Sequence, residues 1–165
     1  GDNRGFAGTV AVHGMLRPGM ADSLPPRAGL LLCDVSSTDS AGGVLETSGT
    51  FTRTPGTGPG QVWWGRVTEV APGYVASLST PASGGGFSAY GGDLTINLGG
   101  DRRKLVLGEI GFAPQRLRLQ DDEATDVLYW ENPVDVTNGT LTVQVAYQVS
   151  GKRAVWRGAA RRSRC

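Results

Sequence analysis

The chain has 165 residues, 26 of them glycine and 9 proline, with 39% hydrophobic and 19% charged residues. Such a chain is long enough to bury its own core, and its composition excludes collagen, which needs glycine at every third position, and disorder, which needs fewer apolar residues. The net charge of +1 hides an asymmetry: residues 151–165 carry six cations and no acid, leaving residues 1–150 with ten cations against fifteen acids.

Glycine and proline at this frequency imply many turns between short segments, as in sandwiches and barrels. Phe6 to His13 reads as a first strand and Arg17 to Arg27 as a loop, because Pro25-Pro26 blocks regular structure. Ala28 to Val35 is a continuous apolar run, short enough for a strand buried on both faces. Ser36 to Gly43 is a polar connection and Val44 to Thr52 a threonine-rich strand. Thr54 to Gly60 is a loop, and Gln61 to Val70 resumes strand character. Pro72-Gly73 turns into Tyr74–Ser79, and the glycines at 84–86 mark a pliant stretch.

Asp93 to Leu98 alternates cleanly between apolar and polar residues. Gly99-Gly100-Asp101 then turns, and Arg103 to Ile110 reads as the returning strand of a hairpin. Gln115–Leu119 alternates again. Asp121 to Asp126 is the one place for a short helix, near residues 121–127, with acids at the N-terminus where the helix dipole favours them. Asp126–Trp130 is a strand and Asn132-Pro133 a turn.

The strongest pattern comes last. After the Asn138-Gly139 turn, Leu141, Val143, Val145, Tyr147 and Val149 alternate with polar or small residues, so a strand turns these five side chains to one face. Burial of each is worth about 1.5–3 kcal/mol, which predicts that this face lies on a core. Lys152 to Arg157 reads as its hairpin partner. About nine to eleven such strands with evenly spaced turns predict an all-β protein, an antiparallel β-sandwich or jelly-roll-like barrel. Residues 1–150 form the sandwich and residues 151–165 a basic C-terminal strand or tail. No internal repeat is evident. No segment is apolar for long enough to span a membrane, and Gly1 in place of an initiator Met leads us to expect that something upstream was removed.

Candidate chemistry is sparse. His13 is the only histidine, so a Ser-His-Asp or Cys-His site would have to use it; beside Gly14 at a strand end, it reads as structural. Fifteen acids offer many carboxylate pairs for glycoside hydrolysis, yet spacing selects none. Asp121, Asp122, Glu123 and Asp126 have the oxygen ligands calcium takes, without the alternating loop pattern of a calcium site. We therefore expect no catalytic residue, no metal and no cofactor. Cys33 and Cys165 are too few for a zinc site or disulfide framework; Cys33 reads as a small buried hydrophobe, with a bridge to Cys165 left open.

Trp63-Trp64 is more informative. Adjacent strand residues point to opposite faces, so one ring belongs to a core and the other to a covering loop or a partner. Tyr129-Trp130 repeats the arrangement, and Trp156 stands among the terminal cations. We take these five aromatics as candidate contact residues, for protein or for stacked sugar. Lys152, Arg153, Arg157, Arg161, Arg162 and Arg164 make a basic tail suited to nucleic acid or to an acidic neighbouring subunit. Asn138-Gly139-Thr140 matches a glycosylation sequon, but the same residues make a hairpin turn.

Gly139-Thr-Leu-Thr-Val-Gln-Val-Ala-Tyr-Gln-Val149 resembles the closing strand of small icosahedral virus coat domains, where a glycine opens a long alternating strand. In those proteins the basic arm usually precedes the barrel; here it follows. The resemblance implies a jelly-roll that self-associates into a shell or decorates one. The sequence thus predicts a non-enzymatic assembly protein, a virion coat, protrusion or decoration subunit whose partners are its own copies, with a virion or extracellular location. The alternative is a secreted module that binds carbohydrate or protein through exposed aromatics in a loop-rimmed groove.

Overall fold

A computed structural model describes residues 3–34, 42–70, 73–77, 84–145 and 153–158. Thirteen strands follow one another among these residues. The first seven are β1 (Thr9–Val12), β2 (Met15–Met20), β3 (Gly29–Asp34), β4 (Gly43–Phe51), β5 (Val62–Val70), β6 (Gly73–Ser77) and β7 (Gly85–Ile96). After them come β8 (Leu105–Val106), β9 (Arg116–Leu119), β10 (Leu128–Trp130), β11 (Val134–Asp135), β12 (Thr142–Gln144) and β13 (Ala154–Trp156).

The pairing is parallel almost throughout, which overturns the antiparallel sandwich or jelly-roll. β1, β3 and β5 form one parallel sheet, and β2, β4, β7, β9 and β12 a second, with β10 and β13 continuing from the far half of β7. β8 and β11 make a small third sheet, also parallel. The one antiparallel pair of named strands is β5–β6. The chain therefore winds as a coil. β1–β2, β3–β4, β5–β7, β8–β9–β10 and β11–β12–β13 follow in turn, each laying strands on those of the turn before, in the manner of a β-solenoid.

Stacking in register is what builds the core. Leu16 pairs with Leu45, Leu45 with Phe87 and Phe87 with Leu119, so one side chain per turn stands on its predecessor. A second row runs Phe51, Ile96, Trp130 and Trp156. Between them the aromatics meet, with Phe51 and Phe87 5.0 Å apart, Trp64 and Phe112 edge-on at 5.4 Å, and Trp130 stacked on Trp156 at 5.5 Å. Each such pair adds about 0.5–1.5 kcal/mol to the burial of its rings.

Parallel strands are covered on both faces and so read as unbroken apolar runs. β3 fits this, for all six of its residues are buried. Leu30 and Leu32 face the main core, while Leu31 and Cys33 join Trp63 in a smaller cluster on the other face. Burial on both faces, expected for Ala28–Val35, thus holds for the part of that run inside β3.

Other expectations fail for stated reasons. The predicted hairpin of Asp93–Leu98 with Arg103–Ile110 does not form. Its turn is real, with Gly99 and Gly100 at φ 88° and 78°, but the Gly99 amide donates to Thr52 and Arg53 carbonyls of the preceding turn. The corner is thereby stacked on an earlier corner, and the chain moves onward to pair β8 with β11.

Of the strand expected over Leu141–Val149, the described part is short. β12 holds three residues, all exposed, and Val143 and Val145 are 43% and 48% exposed. Leu141 alone of the described members packs against the core, and Tyr147 and Val149 lie outside the described residues. β12 pairs only with β9, at the end of the sheet, so no further described strand covers its side chains. Its expected hairpin partner, β13, pairs in parallel with β10 instead.

Asp121–Asp126 forms a turn rather than a helix. The only helix among the described residues is a single 3-10 turn at Ala21–Ser23, inside the region read as a loop. There β2 runs through Pro18, which is tolerated because β2 is an edge strand and its register slips between Leu16 and Gly19.

Candidate functional site

The described acids and bases gather most closely on the outer face of the second sheet. In β4, Leu45 points into the core, so Glu46 points outward, where it pairs in register with Ser88 of β7. Glu46 is nonetheless completely buried. Arg17, from the slipped part of β2, reaches over it and donates from Nε to Glu46 Oε2 at 2.7 Å, with a second contact from Nη2. The same guanidinium bonds Glu123 Oε2 at 2.8 Å and lies over the Tyr90 ring, 3.5 Å from its centre.

The turn after β9 closes the cluster. Asp121, only 3% exposed, accepts from Ser88 Oγ at 3.2 Å and from the Glu123 amide at 2.9 Å. Ser88 is also the in-register partner of Glu46, so the two carboxyls gather at one serine. Burial, and then the hydrogen bond with Asp121, push the Glu46 carboxyl above its ordinary value of 4.5, against the opposing pull of Arg17. Asp126 at the end of the turn accepts from the Gly92 amide at 2.8 Å, and Gln120 ties Ala89 to the Asp126 and Arg153 carbonyls. Beside the cluster is an open hollow of about 320 Å³, lined by His13, Met15, Val44, Arg118, Asp122 and Glu123 among others.

The acidic cluster read from the sequence is therefore a turn and no helix start, with Asp121 buried and Asp122 and Glu123 exposed. Asp121, Glu123 and Asp126 each hold the turn to β2 or β7. No group of three or more His, Cys, Asp or Glu side chains among the described residues is arranged to hold a metal ion. Glu46 and Arg17 were missed by the sequence reading. The available signal was an acid in Val44-Leu45-Glu46-Thr47, a segment whose neighbours are otherwise buried.

The five candidate contact aromatics fall elsewhere. Trp64 and Trp130 are in the main core and Trp63 in the smaller cluster, with exposures of 4%, 0% and 4%. Trp156 is half-buried against Trp130, and Tyr129 carries the Arg157 guanidinium 3.9 Å above its ring. The three buried rings are enclosed by internal packing, so they offer no face to a sugar or a partner in this state. Of the basic tail, Arg153 and Arg157 are exposed beside a β13 that is part of the sheet; Lys152, Arg161, Arg162 and Arg164 lie outside the described residues.

Cys33 is a buried free thiol whose Sγ contacts the Val12 carbonyl at 3.2 Å. Burial, helped by the charge of Asp34, pushes it up to about 11. Cys165 lies outside the described residues. No described helix is long and apolar enough to cross a membrane. No protein family, no curated protein and no solved structure matches the chain. Its class is thus set by its own geometry: a mainly parallel β-coil with an ionic cluster buried on the outside of its longer sheet.

Proposed function

We propose that this chain is a structural, assembly-forming protein that joins further copies of itself through the open ends of its coil. The observation behind this reading is where the large exposed apolar side chains stand. Phe6, Met15 and Met20 belong to the first turn of the coil, Val136, Val143 and Val145 to the last, and Ile110 to the turn before it. Apolar surface collected at two ends, instead of scattered singly, marks interaction sites.

The backbone supports the same reading. β2 and β12 are outer strands of the seven-stranded sheet, as β13 is, and β2 and β12 run in the same direction. Among the described residues each has a strand partner on one side only, and such an edge is a template for another chain. A second copy set on β12 through its own β2 would prolong the parallel ladder and continue the Leu117–Val143 row. The surfaces joined are different, so the contact repeats head to tail and yields rings or filaments. A jelly-roll is antiparallel, so assembly as proposed here draws on the coil ends and not on the coat-protein likeness.

Analytical ultracentrifugation over a wide concentration range tests this. Masses that rise in multiples of one chain are expected, and Val143→Lys with Val145→Lys should return the sample to single chains. A wild-type protein that keeps the mass of one chain at every concentration would refute the proposal.

A further inference from the structure

On the outer face of the second sheet, one guanidinium serves several carboxyls. Arg17 of β2 bonds Glu46 of β4 and Glu123 of the turn after β9, and Asp121 of the same turn bonds Ser88, the in-register neighbour of Glu46 on β7. Arg17 serves Glu46 through Oε2 alone, and the buried Oε1 receives no hydrogen bond. Two ionised carboxyls gathered at one serine, both almost wholly removed from water, repel strongly, and a proton on Glu46 removes that repulsion. The remaining groups around Glu46 are Ser88 and Tyr90 of β7, while His13, Arg118 and Asp122 line the adjoining hollow.

We propose that the Glu46–Asp121 pair is a pH-operated latch, holding the turn after β9 on the sheet while Glu46 carries a proton and releasing it when that proton leaves. The released part is short. Gln120 remains anchored through Ala89 and Thr125 through the Ala89 carbonyl at 2.9 Å, so Asp121 to Ala124 move and their neighbours stay. Ala124, fully buried while the latch is closed, becomes exposed, and the hollow beside His13 loses one wall.

The direction is fixed by linkage. Burial and Asp121 raise Glu46 above its ordinary value of 4.5, so the closed state binds the proton more tightly than the open one. Closure is complete in acid and is lost as the pH rises through the raised value.

Hydrogen exchange read by mass spectrometry on the full chain, from about pH 4 to about pH 9 and normalised for the intrinsic rate at each pH, tests the latch. In wild type the protection of residues 121–124 should fall at least tenfold across this range, while that of β4 and β7 holds. Glu46→Gln keeps the shape and donates a permanent hydrogen to Asp121, so protection there should become independent of pH; Asp121→Asn, a second and independent removal of the charge pair, should do the same. A flat wild-type profile, or a Glu46→Gln or Asp121→Asn protein that keeps the wild-type pH dependence, would overturn the proposal. Neither residue lies at a coil end, so this result is separate from that on self-association.

Discussion

Asn132 offers the sharpest test of the coil. The residue is completely buried, and its side chain holds the corner of one turn to that of the turn before. Its Oδ1 accepts from the Leu98 amide at 2.7 Å, while Nδ2 donates to the Leu98 carbonyl at 3.0 Å and the Arg103 carbonyl at 2.9 Å. Asn132→Ala deletes all three bonds and leaves three backbone groups with no replacement from the side chain. Net loss of a hydrogen bond costs about 0.5–1.5 kcal/mol, and a buried group left unsatisfied about 1–3 kcal/mol. Relaxation and water will satisfy part of this, so about 3–5 kcal/mol is expected.

Against a total stability of about 5–15 kcal/mol, that loss should be plain in urea unfolding followed by tryptophan fluorescence. For a chain of this size it corresponds to a fall in Tm of roughly 6–20 °C. Asn138→Ala is the matched control. Asn138 is exposed in a turn, and its replacement should change stability by no more than about 0.5 kcal/mol. If Asn132→Ala cost less than about 1 kcal/mol, the corner would not be held by these bonds, and the stacking of turns argued from them would fail.

Two further outcomes follow from the ionisable groups. Asp135 accepts from Lys104 Nζ at 2.9 Å and from Thr137 through both its amide and its hydroxyl, which lower it from 3.8 to about 2. Its contribution to stability is therefore complete above about pH 4 and is lost as the pH falls toward 2; Lys104→Met should flatten the acid limb of the stability–pH curve, and an unchanged limb would show that the pair does nothing. In a Cys165→Ser protein, where Cys33 is the sole thiol, reaction with a water-soluble disulfide reagent should be at least a hundredfold slower in the folded than in the unfolded chain, because burial both hides the thiol and opposes its ionisation. Fast reaction in the folded state would contradict the packing of β3.

Much of the chain was legible without coordinates. The continuous Leu30–Cys33 run announced burial on both faces, and the Gly99-Gly100 pair announced its turn. What the sequence withheld was the direction of pairing. Side chains alternate along parallel and antiparallel strands alike, so the alternation of Asp93–Leu98 and Arg103–Ile110 suited a hairpin as well as it suited successive turns of a coil. The glycine corner decided between them only through Thr52 and Arg53, nearly fifty residues earlier. Unequal turns hid the repeat as well: residue 45 stands beneath residue 87, yet 87 stands beneath 119.

The buried cluster and the exposed strand teach the same lesson from opposite sides. Alternation placed Val143 and Val145 on one face, and it placed Glu46 opposite Leu45. Whether a face meets solvent or a neighbour depends on the strand's rank in the sheet, which local sequence does not encode. β12 stands at the edge, so its valines are bare; β4 lies between β2 and β7 beneath the turn after β9, so its acid is buried. Local residue chemistry marked many of the strands and turns. The long-range stacking of one turn on another settled which side chains are core, which are ends, and which charges are buried.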